Sequence, residues 1–88
     1  MKRNSAFLLQ EVAGTQVVIP VGSAAAKFDG MITLNAVGAY LWQLLETEQT
    51  LETLTTALTD RYDVTPETAR TDAQAFVDSL LKAGAILP

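Results

Sequence analysis

Residues 28–42 read FDGMITLNAVGAYLW, and within this stretch the residue pattern changes from the period of a strand to that of a helix. Phe28 to Leu34 places alternate residues on opposite faces and predicts a strand. The first residue of this strand is not fixed by the sequence, because Asp29-Gly30 would also fit a bulge or a turn. Asn35 is a favoured helix N-cap, and apolar residues then recur at helical spacing to about Glu46. The stretch therefore joins a strand directly to a helix.

Two further strands are predicted upstream of this junction. Ala6–Val12 and Gln16–Ile19 are rich in strand-forming residues and flank a short connection that contains glycine, which is typical of a hairpin. Pro20 cannot donate a ladder hydrogen bond and should either end the second strand or lie at a bulge. The small residues from Gly22 to Lys27 predict a loop that leads into the third strand.

Two more helices are predicted downstream. The second begins after Thr50 as its N-cap and breaks at Asp63-Val64. The third begins at Thr65-Pro66-Glu67, which combines a capping hydroxyl, a proline at the first helical position and an acid in the first turn. It ends at Gly84 as its C-cap, and Ala85–Leu87 should fold back onto the core. Three strands followed by three helices predict an α+β fold, with the helices on one face of a three-stranded antiparallel sheet.

Composition narrows the classes of function. The chain has 88 residues, of which 49% are hydrophobic and 18% charged, as expected for a single folded domain over residues 1–88. It contains neither cysteine nor histidine, which excludes thiolate and imidazole metal sites and the usual nucleophile–histidine pairs. We expect no metal and no cofactor. The sequence has no apolar run of signal-peptide or membrane-span length, so a cytoplasmic location is expected.

Charge disfavours a nucleic-acid partner. The net charge is −4, and the part of the chain from Asn35 onward carries eight acids against three bases. A protein that neutralises phosphates needs a basic face. The acids near the helix junctions, Glu46 and Glu48 and then Asp60, Asp63 and Glu67, could form an acid–base pair or a cation site. These acids are better explained as solvated helix caps and loop charges, because Asp and Glu are usually exposed.

The third helix carries two rows of residues at helical spacing, a core stripe and an outer line beside it. The core stripe is predicted to comprise Ala69, Ala73, Phe76, Leu80 and Ala83. Beside it runs an outer line, which comprises Arg70, Gln74, Val77 and Leu81. This outer line is either the edge of a wide core face or the wall of a groove that holds an amphipathic ligand.

An ordered set of residues resembles the PqqD family, the pyrroloquinoline quinone biosynthesis protein D. The set comprises Leu34-Asn35, Gly38-Ala39, Leu41-Trp42, Thr50, Tyr62-Asp63-Val64, Asp72, Phe76, Leu80, Gly84 and Ile86-Leu87. No single piece is specific, but the order and spacing extend over about residues 7 to 87, nearly the whole chain. Gly38 within a helix is further expected to serve close packing, because glycine costs about 1 kcal/mol relative to alanine there.

The resemblance implies a winged-helix-like RiPP recognition element, where RiPP denotes a ribosomally synthesised and post-translationally modified peptide. Such a domain is not an enzyme: it binds the leader segment of a precursor peptide and presents it to a modifying enzyme, commonly a radical SAM protein. The leader would add as a strand to the free edge of the third strand and lie against the third helix. The peptide-binding residues implied in this way are Lys27, Phe28, Asp29, Gly30, Met31, Ile32, Thr33, Leu34, Arg70, Gln74, Val77 and Leu81.

Three alternatives accompany this hypothesis. A winged-helix DNA-binding regulator would share the fold, but its third helix would carry two bases against three acids. An enzyme that uses carboxylates alone would need a clustered pair, which the sequence does not suggest. An exposed sheet edge can also pair with a second copy of the chain, so a homodimer through that edge stays open.

Overall fold

The computed structural model describes residues 1–22 and 31–88. Its elements in chain order are β1 (Lys2–Arg3), β2 (Phe7–Val12), β3 (Thr15–Pro20), β4 (Ile32–Leu34), α1 (Ala36–Leu44), α2 (Leu51–Arg61), α3 (Pro66–Ala83) and β5 (Ile86–Leu87). The predicted α+β class is confirmed, since a three-stranded antiparallel sheet is followed by three helices. Within the described ranges, no helix is long and apolar enough to cross a membrane.

The three-stranded sheet has the order β2–β3–β4. Val12 pairs with Thr15, so a two-residue loop of Ala13-Gly14 closes the predicted hairpin. Both loop residues have positive φ angles, 53° and 83°, as the type I′ turn that suits the twist of a hairpin requires. Pro20 is the last residue of β3, as predicted.

The third strand of this sheet is shorter than predicted. Of the expected strand Phe28–Leu34, the described part forms only β4, and Met31 lies outside the ladder. The last β3 residue that pairs with β4 is Val18, and Pro20 soon after it has no N–H with which to continue. Residues 23–30, which hold the rest of the predicted loop and the predicted start of the strand, lie outside the described ranges.

Side-chain caps set the starts of the three helices where the sequence predicts them. The Asn35 side-chain oxygen accepts a hydrogen bond from the Gly38 N–H at 2.8 Å. Thr50 and Thr53 form a reciprocal capping box at the start of α2, which the sequence does not signal by the usual glutamate or glutamine. Thr65 caps α3 in the same way as Asn35 caps α1. Each cap satisfies N–H groups that the first helical turn would leave unpaired.

The end of α3 turns the chain back towards the core. Gly84 has a φ of 80°, in the left-handed region where a side chain is strained, and it ends the helix as predicted. The Ala85 N–H then donates to the Leu80 carbonyl at 2.9 Å. Ala85 and Ile86 are buried, which confirms that this segment folds onto the core.

The core lies between one face of the sheet and the helices. Its buried members are Phe7, Val18, Leu34, Leu41, Trp42, Leu45, Leu54, Leu58, Ala69, Ala73, Val77, Leu80, Ala85 and Ile86. Trp42 is buried, whereas Tyr62 is only half-buried. The reason is that Tyr62 lies just beyond the last residue of α2 and packs edge-to-face against Tyr40 with ring centroids 6.1 Å apart.

The face that α3 buries differs from the predicted one. Ala69, Ala73 and Leu80 are buried as expected, but Val77 is buried with them and only 3% exposed. Phe76, placed in the core stripe by the sequence, is only partly buried. The helix is therefore rotated relative to the prediction, and Val77 belongs to the core rather than to the outer line.

A second, two-stranded sheet joins the beginning and end of the described chain. Lys2 pairs with Leu87 and Arg3 with Ile86 in an antiparallel ladder. Strands of two residues are too short to leave a periodic signal, so the sequence does not predict them. The Asn4 side chain strengthens this junction, because it donates to the Gly84 carbonyl and accepts from the Ala6 N–H, both at 3.0 Å.

Asn4→Ala is expected to lower the free energy of unfolding by about 1–2 kcal/mol, because two backbone groups lose their side-chain partner. Urea denaturation followed by circular dichroism measures this change. Ser5→Ala is the control, since Ser5 is exposed and its truncation should stay within about 0.5 kcal/mol. Equal effects of the two substitutions would contradict a structural role for the Asn4 side chain.

Candidate functional site

An open cleft of about 420 Å³ lies between the outer edge of β4 and one side of α3. The sheet and the start of α1 contribute Ile32, Thr33, Leu34, Asn35, Val37, Gly38 and Leu41. The third helix contributes Asp72, Ala75, Phe76, Ser79 and Leu80. The strand-to-helix junction thus forms one side of the cleft and part of its base.

The β4 side of the cleft offers backbone hydrogen-bonding groups. β4 is the last strand of the order β2–β3–β4, and no other strand of the described residues pairs with its outer edge. In an antiparallel edge strand, alternate residues direct their N–H and C=O groups away from the sheet. An extended chain placed in the cleft could accept and donate hydrogen bonds there.

The α3 side is a line of side chains that we call the cleft line: Asp72, Ala75, Phe76 and Ser79. Asp72 precedes Ala75 and Phe76 by three and four residues, and Ser79 follows them by four and three, so the four side chains share one side of the helix. Ala75 and Ser79 are small and exposed, and Phe76 is half-buried. Together they give a shallow, mostly apolar wall with room for the side chains of a ligand.

The base of the cleft is apolar and close-packed. Leu34, Leu41 and Leu80 are buried beneath it. Gly38 is buried as well, and a Cβ atom on it would lie 3.4 Å from both Cβ and Cδ2 of Leu34. The expected close packing of Gly38 against the sheet is confirmed, and its missing side chain lets α1 approach β4.

Charge in the cleft comes from a single carboxylate. Asp72 is the one charged residue among the described residues that line it, and Asp72 itself is exposed. Within the part of the chain that the structure describes, Asp72 forms neither an ion pair nor a hydrogen bond through its side chain. No described lysine or arginine contributes to the lining.

The predicted site residues that precede α1, residues 27–34, fall into three groups. Ile32, Thr33 and Leu34 line the cleft, whereas Met31 is 59% exposed just outside β4. Lys27, Phe28, Asp29 and Gly30 lie outside the described ranges.

The outer line does not face the cleft. Arg70, Gln74 and Leu81 are exposed but lie on the other flank of the buried stripe, and Val77 is in the core. The cleft line runs along the flank of α3 opposite the outer line, where the sequence predicts no binding residues. Asp72, Ala75 and Ser79 are small or polar residues at helical spacing beside the core stripe, but Arg70 and Gln74 are polar on the opposite flank, so the helical period does not choose between the two.

A second cleft of about 340 Å³ lies at the other edge of the sheet. Its lining includes Arg3, Phe7, Leu9 and Trp42, with Arg3 as its charged member among the described residues. Arg3 lies 5.9 Å from the centroid of the Trp42 ring, so its guanidinium already has an aromatic partner. This cleft is smaller, and no α3 residue lines it.

The fold and the larger cleft define a small winged-helix-like α+β domain whose edge strand faces a helix across an open groove. The chain belongs to the PqqD family: the model of coenzyme PQQ synthesis protein D matches residues 15–86. The family resemblance inferred from the sequence is confirmed. No curated protein matches the chain in sequence.

Two solved structures share the fold. One is described as TbiB1 in complex with the TbiA(beta) leader peptide, with a TM-score of 0.75 and 23% identity over 98% of this chain and 94% of that one. The other is described as lasso peptide synthetase B1 complexed with the leader peptide, with the same TM-score and identity over 99% and 96% of the two chains. At this level of identity the likeness establishes a common fold.

Proposed function

We propose that this chain is a peptide-binding module that captures the leader segment of a ribosomally synthesised precursor peptide. The observation that carries the proposal is the cleft, in which the edge of β4 that no described strand pairs with faces Ala75, Phe76 and Ser79 of α3. Family membership and two structures of the same fold described as leader-peptide complexes support it.

Strand addition explains how the cleft would bind a peptide. Backbone groups of the leader pair with the open N–H and C=O groups of β4, which gives affinity with little demand on sequence. Alternate leader side chains then point towards α3 and meet Phe76, Ala75 and Ser79. A disordered leader loses conformational entropy on docking, so we expect dissociation constants between about 1 nM and 1 μM.

Binding rather than catalysis is the role proposed for this domain, which would act as a RiPP recognition element without a cofactor. The chain has no histidine or cysteine, and its described acids form no group of three that could hold a metal ion. We infer that the domain presents the bound leader to a separate peptide-modifying enzyme, for which a radical SAM protein is the leading candidate. The described lining of the cleft does not favour a DNA-binding role, because its one charged residue, Asp72, is an acid.

The proposal is tested with the leader segment of a short precursor peptide encoded beside the gene for this chain. Titration calorimetry should show one-to-one binding. N-methylation of single peptide bonds should then weaken binding about tenfold or more at alternate positions only, because an added strand directs every second N–H towards β4.

Two results would count against this mechanism. Absence of binding would contradict the proposed function. Binding that tolerates N-methylation at every position would contradict strand addition. Size-exclusion chromatography before and after addition of the peptide tests whether a homodimer through the β4 edge competes, since a peptide that replaces a second copy should shift a dimer to a monomer.

A further inference from the structure

Asp72 lies where two apolar recesses meet. It lines the large cleft together with Val37, and the same two residues line a smaller recess of about 80 Å³. The other residues around that recess are Leu58, Tyr62, Val64 and Ala69. Asp72 and Val37 are therefore common to the linings of the cleft and of this second, mostly apolar space.

Among the described residues the Asp72 carboxylate has no partner and lines the cleft, whereas two charged groups elsewhere on α3 and α2 have partners of their own. Asp78 on the same helix accepts a hydrogen bond from Gln74 at 2.7 Å. Arg61, at the end of the neighbouring α2, has its guanidinium carbon 4.6 Å from the centroid of the Tyr40 ring. Neither of these residues lines the cleft or the smaller recess. Asp72 is the one charged residue in the part of the lining that the described residues form.

We propose that the peptide bound in this cleft carries a lysine or arginine opposite Asp72, and beside it an apolar residue that enters the recess of Leu58, Tyr62 and Val64. This inference rests on the proposed function and adds a requirement on the peptide sequence. In a strand, residues two positions apart point to the same side about 7 Å apart. The cation and the apolar residue are therefore expected at positions i and i±2.

The physical reason is complementarity of charge in a site that loses water on binding. Docking of the peptide covers Asp72 with apolar side chains, and an unpaired carboxylate would then lose hydration without compensation. A cationic side chain supplies a charge-assisted hydrogen bond instead. The net charge of −4 on the chain also favours the approach of a basic peptide.

The test uses a displayed library of fully random dodecapeptides, selected separately on four forms of the protein: wild type, Asp72→Asn, Asp72→Lys and Asp78→Asn. The wild type should enrich peptides with a lysine or arginine two positions from an apolar residue. Asp78→Asn is the matched control, because it removes the same charge from the same helix outside the cleft, and it should enrich the same motif. Asp72→Asn should lose the basic preference, and Asp72→Lys should replace it with an acidic one.

A double-mutant cycle then measures the contact. Replacement of the selected lysine by norleucine should weaken binding to the wild type about tenfold or more, and should change binding to Asp72→Asn less than about twofold. Thermal melts confirm that the variants are folded, as expected for an exposed position.

The outcomes distinguish the proposed peptide-binding function from the requirement for a cation opposite Asp72. A selection on the wild type that enriches no peptide would contradict the proposed function itself. Enriched apolar peptides without a basic residue would overturn only the requirement for a cation, as would a basic preference that persists in Asp72→Asn. An acidic preference that is insensitive to position 72 would place the peptide at the Arg3 cleft and would overturn the inference as well.

Discussion

Ala75→Arg is expected to weaken binding of the leader peptide by about 100-fold, which corresponds to about 3 kcal/mol. Ala75 lies on the cleft line and is exposed, so the long arginine side chain would occupy space that the peptide needs. It would also lie one helical turn from Asp72 and could pair with that carboxylate. Central contacts of an interface contribute losses of this size when they are blocked. Titration calorimetry measures the change.

Gln74→Arg is the matched control for this variant. Gln74 is the adjacent residue and is equally exposed, but it does not line the cleft. The same arginine on the other flank of α3 should leave the dissociation constant within about threefold of wild type. Arginine is a good helix former, so both variants should fold. Loss of binding in Gln74→Arg with retention in Ala75→Arg would place the peptide along the outer line instead.

Val77→Asp is expected to unfold the domain. Val77 is 3% exposed in the core, and burial of an unpaired carboxylate costs several kcal/mol. Since a domain of this size is stable by only about 5–10 kcal/mol, little of that stability should remain. Loss of helical circular dichroism at 25 °C, or a large fall in the melting temperature, measures the effect.

Leu81→Asp is the comparison for Val77→Asp, because it also places an aspartate on α3 but at an exposed position of the outer line. Leu81 is 36% exposed, so its replacement should cost only about 1–2 kcal/mol, from lost apolar contact and an acid near the helix C-terminus. The folded variant should also keep its affinity for the peptide. A folded and cooperative Val77→Asp would contradict the burial described for that residue.

The stretch FDGMITLNAVGAYLW contains both the predictable and the unpredictable parts of the site. Its polar cap at Asn35 and the burial of Leu41 and Trp42 follow from the sequence, and so does the position of β4 before α1. The length of β4 does not follow from the sequence, because the ladder depends on pairing with β3 near Pro20. Strand pairing is non-local and leaves only a weak trace in the sequence of one strand.

The two-stranded sheet of β1 and β5 was outside the reach of sequence reasoning for a related reason. Lys2-Arg3 and Ile86-Leu87 are too short to show a period, and they pair across almost the whole length of the chain. By contrast, Gly14 and Gly84 are local signals, because glycine readily adopts the positive φ angles observed at both. Ala13 also has a positive φ, which its residue type does not predict.

The sequence by itself determined the order of the three strands of the larger sheet and of the three helices, the helix caps and the membership of the PqqD family. These features depend on residue types and spacings within a few turns of chain. Only the tertiary structure decided which flank of α3 faces β4. Both flanks of its buried stripe are partly polar, so the helical period cannot distinguish Ala75 and Ser79 on one side from Gln74 and Leu81 on the other. The packing of α3 against α2 and β5 makes that choice, and with it places Asp72 in the cleft.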